Sequence, residues 1–175
     1  MIRAWRLIKA ERADDAFDGE GARRGGGRWN SKDVRVVYAS GSLSLATLEV
    51  MVHMPFYKAL KNYVCIPIDF DPVLLQSITI EDLPDNWTAD PIPQSVKDLG
   101  DRWIQNQESV ILMVPSAIIP VEYNYLINPS HPDFEKIVIH SPQKFAFDPR
   151  LLKILVSYIR SDKECFVTVK PRVRC

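Results

Sequence analysis

Apolar and polar residues alternate along residues 5–10, which predicts a strand that carries Arg6. A β-branched run over 34–39 predicts a second strand with Tyr38 near its end. Ser42 or Ser44 can cap a helix that runs to about Met54, where Pro55 stops it. Residues 63–70 read as another strand. Pro72, Pro84, Pro91 and Pro93 make 71–93 mostly loop, with a short strand over 77–80. The pattern then predicts a helix over 94–107 and strands over 109–114 and 137–140. Strand follows strand too often for a doubly wound parallel sheet, so the expectation is a mixed α/β domain with two or three helices.

Between the first two strands the hydrophobic pattern gives way to Gly-Glu-Gly-Ala-Arg-Arg-Gly-Gly-Gly-Arg-Trp-Asn at 19–30, which holds five of the seven glycines. Such a backbone is free to curl, and guanidinium forks suit bidentate contact with phosphate or carboxylate. The segment is neither of the common phosphate cradles. A dinucleotide fingerprint needs a glycine where Arg24 stands and a hydrophobic strand just before Gly19, and a Walker loop needs Gly-Lys-Ser/Thr. It reads as a loop that wraps an anion or, failing that, as a solvated surface loop.

Composition narrows the choice. With 175 residues and 46% hydrophobic content, the chain is the size of one domain with a real core. Its 22 basic and 22 acidic residues balance, which disfavours direct nucleic-acid binding. Cys65, Cys165 and Cys175 are too few and scattered for a disulfide framework or zinc site, and His53, His131 and His140 lack metal-ligand spacing. The N-terminal residues are broken by charge and do not form a secretory signal. The longest apolar run, 110–121, is interrupted by Pro115, Ser116 and Pro120 and is too short to span a bilayer. A soluble, cytoplasmic protein is expected.

Glu49 stands out against this background. On the helix starting near Ser42 it has Leu45 and Ala46 one turn before and Val52 and His53 one turn after. A carboxylate among apolar neighbours needs a reason, because desolvating it alone costs several kcal/mol. Either Glu49 pairs with an arginine or it lines a cleft. With an arginine-glycine segment and Tyr38 close upstream, a set able to grip a dinucleotide and stabilise a cationic sugar is at hand.

The segment 19–30, the tyrosine of Val36-Val37-Tyr38-Ala39 and the glutamate of Leu45-Ala46-Thr47-Leu48-Glu49 together resemble the signature of RES-domain proteins. Leu99-Gly100-Asp101-Arg102-Trp103, the Val114-Pro115-Ser116 step and the block from Asn124 to Phe134 also match, in the family's order, within about 3–152. A RES domain over 1–154 is implied, followed by a tail over 155–175 that matches little. The resemblance implies a single domain with a mixed, split sheet similar to NAD-dependent ADP-ribosyltransferases. It further implies a type II toxin that degrades NAD+ or transfers ADP-ribose, with NAD+ as substrate and no metal. An Xre-like helix-turn-helix antitoxin is the expected partner and a homodimer the expected assembly.

By the same resemblance, Arg6 holds ribose or pyrophosphate, Arg28 clamps a phosphate, Tyr38 stacks on nicotinamide and Glu49 meets the oxocarbenium-like charge. Each has a plainer reading: either arginine could be the structural partner of Glu49, and Tyr38 could be a core tyrosine. The family serine is open. Ser95, at the start of the second predicted helix, is preferred to Ser116, and Ser109 comes third. Asn128 and His131 lie in a matched block that also reads as turn chemistry. The acceptor carries no motif. NAD+ cleavage, mono-ADP-ribosylation of a protein and a non-catalytic interaction module are therefore the three functional readings.

Overall fold

A computed structural model of the protein describes residues 1–53 and 60–151. The strands are β1 (Ile2–Lys9), β2 (Val37–Ser40), β3 (Tyr63–Phe70), β4 (Leu75–Ser77), β5 (Ile111–Pro115), β6 (Tyr123–Ile127), β7 (Val138–Ile139) and β8 (Gln143–Phe145). The helices are α1 (Glu20–Gly25), α2 (Leu43–Val52) and α3 (Gln94–Asn106). One sheet runs in the order β4-β5-β6-β2-β1-β3-β7, and β8 also pairs with β3. β4 and β5 are parallel and the other pairings antiparallel, so the sheet is mixed, as expected. Among the described residues no helix is long and apolar enough to cross a membrane.

The sheet is nearly divided at its middle. β1 and β3 match over eight residue pairs, Ile2↔Phe70 to Lys9↔Tyr63, whereas β1 and β2 share one, Trp5↔Ser40. β2 is held on its other side by β6 over four pairs, Val37↔Ile127 to Ser40↔Asn124.

Both faces are covered. Ala4, Val37, Ala39, Ile68, Phe70, Ile111 and Ile127 pack in one layer. Val36, Leu112, Val114 and Leu126 pack in the other, beneath Trp29, Trp87 and Trp103. β5 and β6 contribute alternate residues to each, and every such fully buried aliphatic side chain contributes about 1.5–3 kcal/mol. α3 presents Val96, Gly100 and Trp103 to the second layer at helical spacing. Gly100 sits so close to the Trp29 carbonyl that a Cβ would collide with it. The helix can therefore lie directly on the glycine segment.

The predicted strand over 63–70 and the start of the third helix stand as expected, and Ser42, not Ser44, caps α2 by accepting from the Leu45 N–H. α2 ends at Val52 with His53 as its cap; Met54 and Pro55 lie outside the described residues. Three elements were not foreseen. β6 is a central strand despite Asn124 within it, β8 is a short edge strand, and the glycine-rich segment begins with a helical turn. The boundary expected at 154 and the tail over 155–175 also lie outside the described residues.

Candidate active site

Glu49 reaches from α2 across β2 to the β5–β6 hairpin. Its Oε1 accepts from Ser116 Oγ at 2.8 Å and from Asn124 Nδ2 at 2.6 Å. Among the described residues no arginine or lysine forms an ion pair with it, so neither Arg6 nor Arg28 is its structural partner. Oε2 receives no hydrogen bond from the described residues. The two partners are 67 and 75 residues from Glu49 in sequence and meet it because β2 lies against β6.

Ser116 is fully buried at the end of β5. Its hydroxyl oxygen accepts the N–H groups of Ile118 and Ile119 at 3.1 and 3.2 Å while donating to Glu49. A hydroxyl has one proton and two lone pairs, so this one is fully used. It orients the carboxylate and turns the chain. Asn124 is held in turn by Ser40, whose Oγ donates to Asn124 Oδ1 at 2.7 Å. A second tie joins the same elements, since Ser42 Oγ donates to Glu122 Oε2 at 2.9 Å.

Tyr38 precedes Ser40 by two on β2, hence on the same face about 7 Å away. Its hydroxyl donates to Asn30 Oδ1 at 2.6 Å and accepts the Trp29 N–H at 3.2 Å. Burial pushes the phenol well above its ordinary range, so it stays a neutral donor. Asn30 is wholly buried, and its Nδ2 donates to the carbonyls of Ala22, Ser31 and Val34. A Cβ on Gly27 would lie 2.5 Å from the Tyr38 hydroxyl and 2.7 Å from Asn30 Oδ1. The glycine segment is thus closed around Asn30 and docked on Tyr38, neither free nor merely solvated.

Arg28 leaves this segment with Nη1 donating to the carbonyls of Trp87 at 2.7 Å and Ala89 at 3.3 Å. Arg6 crosses the gap between β1 and β2 and donates from Nη1 to the Tyr38 carbonyl at 2.6 Å. Its guanidinium carbon stands 5.9 Å from the centre of the Phe17 ring, and its Nε is buried with no hydrogen-bond partner among the described residues. Burial, aided by the Arg12 guanidinium and opposed by Asp18, pulls Arg6 down to about 10, which leaves it cationic at neutral pH. A buried guanidinium with an unused N–H is a fitting donor for an anion or a sugar oxygen.

The other candidates fall elsewhere. Ser95 is exposed in the first turn of α3, whose contacts with the glycine segment and the adjoining Ser31 come from Gln94, Gly100 and Asp101 instead. Ser109 accepts from Trp103 Nε1 and donates to the Ile111 carbonyl, a local tie between α3 and β5. Asn128 is buried just past β6, about 13 Å along the strand direction from Asn124. Its Oδ1 accepts the Ser130 N–H and its Nδ2 lacks a partner among the described residues. His131 Nδ1 accepts the Asp133 N–H, which is turn chemistry. Asn124, Ser40 and Asn30 are not among the site residues expected from the sequence. The available signal was their parity, since Ser40 and Asn124 occupy one face of strands otherwise built from apolar residues.

Residues 3–148 match the family model of the RES domain. The chain is 35% identical over 148 residues to Toxin Res of Yersinia enterocolitica serotype O:8 / biotype 1B, covering 84% of this chain and 97% of that one. It is 37% identical over 154 residues to the Prs ADP-ribosylating toxin of Sphingobium sp. strain YBL2, covering 85% and 96%. Among solved structures it is similar to the M. tuberculosis MbcT–MbcA toxin–antitoxin complex, with a TM-score of 0.68 at 19% identity over 89% of this chain and 88% of that one. At that identity the likeness is one of fold.

Proposed function

Because the chain belongs to the RES-domain family, we propose that it is the toxin of a toxin–antitoxin pair and cleaves NAD+ at the bond between nicotinamide and ribose. The observation that carries this reading is Glu49, a carboxylate that among the described residues has no cationic partner, is held through one oxygen by two neutral donors and has its other oxygen open. Such a group retains its charge for a cation that forms during reaction.

In the proposed step the C–N bond to nicotinamide breaks and its electron pair leaves with the pyridine ring. The ribose carbon gains positive charge, which Glu49 stabilises while Oε2 accepts a ribose hydroxyl. Preorganisation by Ser116 and Asn124 means the carboxylate need not reorient as the charge develops. Arg6 and Arg28 meet the pyrophosphate, and Tyr38 shapes the nicotinamide end. Ser116, which contacts Glu49, is the site serine in this reading and Ser95 is not. Asn128, some 13 Å along β6, supports the fold. The electrophile is finally quenched by water, phosphate or a protein side chain. Transfer to a protein is the second reading, favoured by the likeness to the Sphingobium ADP-ribosylating toxin. A separate antitoxin of the Xre-like kind, which covers the cleft and brings the DNA binding this neutral chain lacks, completes the proposal, with action in the cytoplasm.

Incubation of the purified chain with NAD+ tests it. Release of free nicotinamide is expected. Release without label on protein from adenylate-labelled NAD+ marks hydrolysis or phosphorolysis, and release with label marks transfer. A soluble chain that releases none, and leaves cellular NAD+ unchanged when expressed alone, overturns the reading in favour of a non-catalytic module.

A further inference from the structure

We infer that Asn124 is a positioning residue for Glu49, itself oriented by Ser40, and that this relay makes Oε2 the carboxylate oxygen offered to substrate. The inference rests on the proposed role of Glu49 and extends it to residues that the family signature at the glycine segment does not touch.

The hydrogen-bond directions are forced one after another. Ser116 Oγ has both lone pairs engaged by the Ile118 and Ile119 N–H groups, so its proton can go only to Glu49 Oε1. Asn124 lies 2.6 Å from the same oxygen. A carboxylate can only accept, so the amide must present Nδ2 and turn Oδ1 away. Oδ1 then faces Ser40 Oγ, which supplies a proton to it at 2.7 Å. A flipped amide would set two acceptors against each other at that distance. Ser40, buried on β2, holds the amide in the productive sense from the far side. The consequence is asymmetry: two donors saturate Oε1, and a sugar hydroxyl meets Oε2.

A purely structural asparagine would act through shape, and the variants separate the two roles. Asn124→Asp keeps the shape and the acceptor for Ser40 but removes the donor. In the full-length chain at neutral pH its kcat for nicotinamide release should fall about tenfold or more, with KM within about twofold. The two carboxyl groups of that variant can share one proton and rebuild the bridge, so its kcat should recover as the pH is lowered. Asn124→Ala should lose kcat similarly without that recovery, and Ser40→Ala should lose about threefold. A readout independent of catalysis is the Asn124 side-chain amide signal in a 15N spectrum, expected to move in both Glu49→Gln and Ser40→Ala. Unchanged kcat in Asn124→Asp overturns the relay, and so does an amide signal indifferent to Glu49→Gln. Equal losses in Asp and Ala variants at every pH assign Asn124 to packing alone and likewise overturn it. If the unaltered chain releases no nicotinamide, the NAD+ reading fails and the amide spectrum alone decides the relay. If Asn124→Asp does not fold, the same spectrum decides.

Discussion

Two glutamates at the starts and ends of neighbouring helices show how differently one fold can treat a carboxylate. Glu20, which opens α1, is ringed by guanidinium groups: Arg23 at 2.9 Å, Arg24 at 3.4 Å and Arg35 at 2.6 Å. The hydrogen bonds and charges of Arg23, first, and Arg35 pull it down to about 2. Glu49, near the end of α2, meets only an alcohol and an amide among the described residues, although Arg6 and Arg28 belong to the same group of candidates. Those two arginines donate from Nη1 to backbone carbonyls instead, and Arg6 Nε has no partner among the described residues. A neutralised carboxylate can hold a loop together, whereas one anchored by neutral donors keeps its charge for use. The glycine-rich segment therefore divides its arginines, with Arg23 and Arg24 paired to Glu20 and Arg28 set against the Trp87 and Ala89 carbonyls.

The division predicts unequal responses. Glu49→Gln should lower NAD+ cleavage more than about 100-fold while thermal unfolding stays close to that of the parent, because the amide keeps the size but not the charge. Wild-type NAD+ consumption by that variant would remove Glu49 from the chemistry. Arg28→Ala should cost about 1.5–3 kcal/mol of NAD+ binding, read by calorimetry, as for loss of a charge-assisted bond. An unchanged affinity would return Arg28 to the structural side with Arg23. Gly27→Ala should destabilise the fold by about 1–3 kcal/mol in denaturant titration, since its methyl must displace the Tyr38 hydroxyl or Asn30. A variant of full stability would mean that the segment is not pinned there.

The smallest effect on activity is expected from Glu20→Gln, within about threefold of the parent if this carboxylate serves only the loop. Its signature lies in pH. The folded-state value near 2 is below the ordinary 4.5, so the stabilising contribution is complete above about 4.5 and is lost as pH falls toward 2. The difference in melting temperature between parent and variant should therefore close across that window. A loss of NAD+ cleavage as complete as in Glu49→Gln would erase the distinction between the two carboxylates.

Local signals carried the elements that are locally determined. β3 lies between Asn62 and Pro72 and is apolar apart from Asp69, and α2 announces itself by the Ser42 cap. α1 escaped because glycine-rich composition speaks against a helix, while its support includes Arg35, far outside the turn. β6 escaped because Asn124 interrupts its apolar run, and the need for a polar residue there becomes visible only with Glu49 beside it. Glu49 itself was legible from helical spacing. Its partners were not, since nothing in residues 43–52 says which strand lies against β2. The same gap explains the preference for Ser95, which sits at a helix start that sequence can recognise, over Ser116, whose value comes from a contact 67 residues away.

The single residue pair between β1 and β2 also has a mechanical meaning. A ladder of eight pairs, as between β1 and β3, behaves as a stiff plate, and so does the β5–β6–β2 side with five and four. Joined by one rung and the Arg6 strut to Tyr38, the two plates concentrate bending compliance along one line. Arg6 lies on that line, so a molecule that takes over its N–H groups would also set the angle between the plates.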